Sequence, residues 1–173
     1  FRLFPNLVDM GGNVVINAAR VDDQAAPFTM EADNYLVRVD LATPVASGAA
    51  TSVALDFVTT MPYNKGRIWY GAMNSDGATL SLASAYPIIA NIVDGSWEID
   101  VPDTKGDMVN SPVALYDVTL TAPRTHSIVA TGTTTAISQD GATHTYHIVS
   151  GLQRDFMIAA TTQPRVNVTV DGT

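Results

Sequence analysis

Apolar and polar side chains alternate along most of this chain, and turn residues cut the alternation into short pieces. Gly11-Gly12-Asn13 releases a run from Val14 to Val21 in which Val15 and Val21 face one way and Val14 and Ile16 the other. Asp22-Asp23 and Pro27 close it, and Tyr35 to Leu41 then sets Tyr35, Val37, Val39 and Leu41 against Leu36, Arg38 and Asp40. Ser52 to Thr60 repeats the pattern and stops at Pro62. Three strands in close succession predict a meander. Asn64-Lys65-Gly66 reads as a turn, Arg67 to Met73 as a short aromatic strand, and Asn74-Ser75-Asp76-Gly77 as a hairpin turn into Ala78–Ala83.

The second half continues in the same way. An apolar run from Tyr86 to Val93, suited to a buried strand or an interdomain face, leads to a long loop from Asp94 to Pro112 with Gly, Pro and acids but no period. Strands follow at Ala114–Thr121, Ser127–Thr131, Thr134–Ser138, His144–Val149 and Asp155–Ala160. Gln139-Asp140-Gly141-Ala142 is a hairpin turn, and Val166 to Val170 makes a further strand. No stretch carries apolar residues at helical spacing, and Thr, Val and Ser stand where a helix would use Leu, Glu and Lys. The predicted class is all-β, a two-sheet sandwich or saddle-like β domain with long loops.

Composition narrows the function classes. At 173 residues, 46% hydrophobic and 15% charged, the chain is a folded single domain spanning 1–173. A net charge of −8 repels polyanions, so nucleic acid is not expected as a partner. The absence of cysteine removes disulfides and thiolate zinc sites. No run approaches the ~20 apolar residues that span a bilayer, and no basic segment leads an apolar one at the start. The opening Phe1-Arg2-Leu3-Phe4-Pro5 reads as if cut from the middle of a strand, which predicts a fragment or a processed product.

Few residues suggest chemistry. His144 and His147 are three apart, which on a strand sends them to opposite faces, and His126 stands alone. Neither helical zinc-ligand spacing nor a nucleophile elbow occurs, so no catalytic residue is assigned. Asp94, Glu98, Asp100, Asp103 and Asp107 are the oxygen-rich side chains that a calcium ion would use, although their order is not that of an EF-hand. Trp97, Trp69, Tyr70 and Tyr86 offer aromatic surface for a sugar, against the commoner fate of packing in a core or an interface. Asn167-Val168-Thr169 is a glycosylation triplet.

Several stretches, in order, resemble the N-terminal domain of the zinc aminopeptidases typified by membrane alanyl aminopeptidase. They are Gly11 to Ile16, Leu36–Pro44, Ala83-Ser84-Ala85-Tyr86-Pro87, Gly95-Ser96-Trp97, Tyr116 to Pro123, Ala130-Thr131-Gly132 and Arg154 to Ala160. Gly71-Ala72-Met73-Asn74 approaches the family's amino-group-binding stretch but lacks its Glu. The resemblance implies a non-catalytic β domain that caps a thermolysin-like catalytic domain of the same polypeptide and shapes its cleft for the N-termini of peptide substrates. It implies no cofactor in this chain and zinc in the catalytic domain. Ser81, Ala83, Ser84 and Tyr86 are the expected rim of the cleft, and a secreted or cell-surface setting is favoured over the cytoplasm. The alternatives are a stand-alone adhesion or carbohydrate-binding module and the scaffold domain of a catalytically inactive relative.

Overall fold

A computed structural model describes residues 1–63, 73–103 and 109–164. The expected turn at Asn64-Lys65-Gly66, most of the strand Arg67–Met73, Trp69, Tyr70, Asp107, the strand Val166–Val170 and the triplet at Asn167 lie outside those residues.

The all-β expectation holds. Among the described residues, apart from one helical turn at Phe4–Asn6, the regular structure is fourteen strands: β1 (Asn13–Val21), β2 (Gln24–Ala25), β3 (Phe28–Glu31), β4 (Leu36–Val39), β5 (Val53–Thr60), β6 (Met73–Ser75), β7 (Thr79–Ala83), β8 (Ile92–Val93), β9 (Ser96–Trp97), β10 (Asp117–Pro123), β11 (Ser127–Ala130), β12 (Thr133–Asp140), β13 (Thr143–Val149) and β14 (Met157–Thr161). Among the described residues they form five antiparallel sheets, ordered β2-β1-β5, β10-β13-β12, β11-β14-β7-β6, β3-β4 and β8-β9, with no closed barrel.

The meander expected across the first sixty residues is not what forms. β5 pairs directly with β1, from Asn13 against Thr60 to Val21 against Val53, while β4 leaves them to pair with β3. Strand β3 had no sequence signal, because Phe28-Thr29-Met30-Glu31 is too short to show a period and follows Pro27. A bulge between Ile16 and Ala18 also reverses the phase of β1. Val14 and Ile16 are buried before it and Ala19 after it, so Val21 falls in phase with Ala19 and not with Val15. The long loop expected from Asp94 begins at the turn of the β8–β9 hairpin, where Asp94 and Gly95 take φ 49° and 77°, and includes β9. Two positive φ values in succession suit the tight connections that match strand twist.

The core gathers at the N-terminal segment. Phe4, Leu7, Met10, Tyr35, Leu36, Met73 and Ile88 form one buried cluster, and Leu3, Val14, Ile16 and Val37 form a second. Phe1–Leu3 is strand-like: Arg2 bridges Leu36 of β4 on one side and Ile88 on the other, both antiparallel. Alternation along this segment sends Leu3 to one cluster and Phe4 to the other.

The Arg2 Nε and the Tyr35 hydroxyl are buried beside that core without a hydrogen-bond partner among the described residues. Tyr35 is 2% exposed, and burial, offset in part by the nearby Arg2 charge, pushes its phenol up to about 12. Because the folded value lies above the ordinary value of about 10, this contribution to stability is complete below pH ~10 and is lost as pH rises through the folded value. Tyr35→Phe removes an unpartnered hydroxyl, so the expected result is unchanged stability or a gain of up to about 1 kcal/mol at neutral pH, and a shallower alkaline decline. Urea titrations at pH 7 and pH 11 check it. A clear loss at pH 7 would mean that the hydroxyl has a partner.

Candidate functional site

The four residues expected at a cleft rim run along β7 of the sheet β11-β14-β7-β6 and the turn that follows it. Ser81 lies mid-β7, opposite Ala159 on β14 and Asn74 on β6, and Ala83 ends the strand opposite Met157. Ser84 is buried and takes φ 52°, a left-handed backbone that costs a non-glycine residue about 1 kcal/mol and turns the chain out of the sheet. The carbonyl of Ala85 accepts from Thr59 Oγ1 at 2.7 Å, which ties this turn to β5. Tyr86 follows, half-buried.

Tyr86 is committed to its own chain. Its hydroxyl accepts from the Phe156 N–H at 3.1 Å and donates to the Tyr116 hydroxyl at 3.4 Å, which donates to the Arg154 carbonyl at 3.1 Å. The Tyr86 and Tyr116 rings meet edge to face with centroids 6.3 Å apart, and Tyr116 lies 5.2 Å from the Phe156 ring. Ser111 Oγ donates to the same Arg154 carbonyl at 2.6 Å, and Arg154 Nη1 donates back to the Ser111 carbonyl at 3.0 Å. Burial first, and then the Tyr116 hydroxyl, push the Tyr86 phenol far above its usual range, so it stays neutral. Tyr86→Phe leaves the Phe156 N–H without its acceptor. The expected cost is about 1–3 kcal/mol, seen as a lower urea midpoint with an unchanged slope; an unaltered midpoint would show that this bond contributes nothing.

Four of the seven stretches that carried the family resemblance therefore meet in space. Ala83–Pro87, Tyr116–Pro123 and Arg154–Ala160 share the Tyr86–Tyr116–Phe156 cluster. Thr131, from Ala130-Thr131-Gly132, exchanges bonds with Met157: its N–H donates to the Met157 carbonyl at 2.9 Å, and its Oγ1 accepts from the Met157 N–H at 3.1 Å. These residues act as joints of the fold, and none of these hydroxyls is set up as a nucleophile.

Metal ligation finds no support in the geometry. Among the described residues, no three His, Cys, Asp or Glu side chains gather into a metal-holding group, so they do not fit a zinc ion. Glu98 instead accepts from Asn91 Nδ2 at 2.8 Å and lies 3.7 Å from the buried Arg2 guanidinium, which also donates to the Asn110 carbonyl. His147 bonds Asp117 at 2.7 Å and Thr135 at 2.9 Å, whereas His144 contacts Gln139 and Tyr146, so the two histidines serve opposite faces as expected.

Sequence reasoning missed an apolar cleft of about 750 Å³ beside the N-terminal segment, lined among others by Phe1, Val39, Ile89, Ile92, Trp97 and Ile99. Trp97 is 55% exposed there. The available signal was the alternation in Phe1-Arg2-Leu3-Phe4, which marks a strand and so implies neighbours on both sides.

No family model matches this chain, and no curated protein matches it. Solved structures do. The M1 zinc metallopeptidase from Deinococcus radiodurans is similar over 84% of this chain, with a TM-score of 0.58 and 15% identity. The chain has a fold found in M1 zinc metallopeptidases. A mutant two-domain M1 zinc metallopeptidase bound to L-arginine is similar over the same share, with a TM-score of 0.53 and 15% identity. In each case this chain covers 32% of the other, about a third of its length.

Proposed function

We propose that this chain is the non-catalytic N-terminal β domain of a zinc aminopeptidase-like protein, packing on a catalytic domain and shaping the cleft that receives peptide N-termini. The observation that carries the reading is the fold likeness, which spans 84% of this chain but 32% of an M1 zinc metallopeptidase. The meeting of three of the family-like stretches at Tyr86, Tyr116 and Phe156 supports it, because segments far apart in sequence are there packed into one joint of the fold. Exposed Leu115, Leu152 and Ile99 add apolar surface of the kind a neighbouring domain covers. In this reading Ser81, Ala83, Ser84 and Tyr86 border the cleft, zinc belongs to the catalytic domain, and the setting is secreted or cell-surface.

The isolated chain is expected to release no arylamine from aminoacyl arylamides and to hold no stoichiometric zinc. Joined to the polypeptide encoded after Thr173, it is expected to give zinc-dependent release. Turnover by the isolated chain would overturn the proposal. A downstream frame without a His-Glu-x-x-His helix would leave the scaffold of an inactive relative. The exposed Trp97 favours one second reading, a glycan-binding module. Its neighbours Ile92 and Ile99 offer a sugar no polar partners, and loss of glycan-array binding on Trp97→Ala is the result that would restore it.

A further inference from the structure

The apolar cleft has the geometry of a missing strand. In β4, the Val37 N–H donates to the Phe1 carbonyl at 2.9 Å, and the Phe1 amino group donates to the Val37 carbonyl at 2.7 Å. The Asp40 N–H points the opposite way, to the Pro27 carbonyl at 3.1 Å. Backbone groups alternate sides along a strand, so Val39 turns its N–H and C=O toward the Phe1 side, where no described residue meets them. The opposite flank mirrors this. Ile88 exchanges bonds with Arg2 at 2.7 and 3.0 Å, and the Asn91 carbonyl accepts from Glu98 on the far side at 2.8 Å. Ala90 therefore shares the side of Ile88, again with no described partner.

Phe1 and Arg2 fill one end of the gap between these two edges, and the cleft is its continuation. Neighbouring strands lie about 4.8 Å apart, so two edges held apart by the Phe1–Arg2 strand leave room for one further strand segment and no more. Its lining is largely apolar. Paired edges of this kind bind extended chains through main-chain hydrogen bonds, with side-chain pockets setting preference.

We propose that the cleft is a strand-accepting slot, filled by an extended segment antiparallel to both β4 and Ile88–Ile92, and that this segment is the polypeptide leading directly into Phe1. Direction and continuity select that occupant. The pairing of Phe1 and Arg2 fixes the polarity, so an in-register strand must arrive with its carboxyl end at Phe1. Burial also lowers the pKa of a Phe1 ammonium, with Arg2 acting the same way, whereas a peptide N–H at that place carries no charge to desolvate. The register puts the residue immediately before Phe1 level with Arg38 and Ala90, and the second residue before it level with Val39, on the face of Leu3 and Val37. That second position is expected to be apolar. The inference concerns the fold and stands apart from the peptidase reading.

The test compares the 173-residue chain with a form carrying the eight or so residues that its reading frame encodes before Phe1, roughly 27 Å when extended. In the longer form the Val39 and Ala90 amides are expected to exchange at least about tenfold more slowly, and Trp97 to become less accessible to acrylamide. Replacing the added residues by Gly-Ser repeats is expected to return both readings to those of the shorter chain. Equal exchange at Val39 and Ala90 in the two natural forms overturns the proposal. So does protection that survives the Gly-Ser replacement, or a frame that supplies no residues before Phe1 beyond an initiator.

Discussion

Phe4→Ala is expected to be among the most damaging single truncations in this chain, at about 3–5 kcal/mol. Phe4 is fully buried in the larger core cluster, with its ring edge-on to Tyr35 at 5.7 Å and the Arg2 guanidinium 5.4 Å from its centroid. Removing it deletes the apolar contact and leaves a void that Leu7, Met10 and Ile88 cannot close without moving the strand-like Phe1–Leu3 segment. It also strips packing from a guanidinium whose Nε has no hydrogen-bond partner among the described residues. The urea midpoint should fall with an unchanged slope, and Tm by roughly 10 °C or more. A loss below about 1 kcal/mol would mean that the cluster does not hold the N-terminal segment in place.

Gly132→Ala is expected to cost at least about 2 kcal/mol, for a different reason. Gly132 sits at the corner between β11 and β12 with φ 95°, a conformation that side chains rarely adopt. A Cβ there would lie 2.5 Å from the Val149 carbonyl oxygen and 3.0 Å from its carbon, so β13 itself would have to shift. Gly141, in the β12–β13 turn, provides the control. Its φ is 52° and a Cβ there meets open space, so Gly141→Ala should show only the left-handed penalty of about 1 kcal/mol. Equal costs for the two variants would assign the whole effect to backbone conformation and none to the contact with Val149.

Turn chemistry and alternation made most strands legible. Gly11-Gly12-Asn13, Asp76-Gly77 and Asp140-Gly141 each open or close an element, and β1, β5, β7 and β13 match their alternating runs within a residue or two. Pairing was not legible, because it depends on partners far apart in sequence: β7 meets β14 with Ser81 against Ala159, and β1 meets β5 across the excursion of β3 and β4. The bulge at Asn17 left no mark either, since Asn-Ala-Ala carries no apolar contrast from which a phase change can be read. For the candidate site, the sequence located Tyr86 and the Arg154 to Phe156 stretch but not the hydrogen bond that joins them. The cleft beside Phe1 depends on unpaired backbone groups, about which side-chain patterns say little.

Strand β12 is exposed along all eight of its residues and, among the described residues, forms one edge of its sheet, with Ile137 61% exposed among Thr, Ser and Gln side chains. An open, threonine-rich edge invites a second molecule to lay its own strand alongside. At neutral pH the surplus of eight negative charges keeps copies of the chain apart. Near pH 4.5 that mutual repulsion vanishes, and colloidal behaviour then rests on the local chemistry of this one edge. Asp140, at its far end, is the only carboxylate that the strand itself carries.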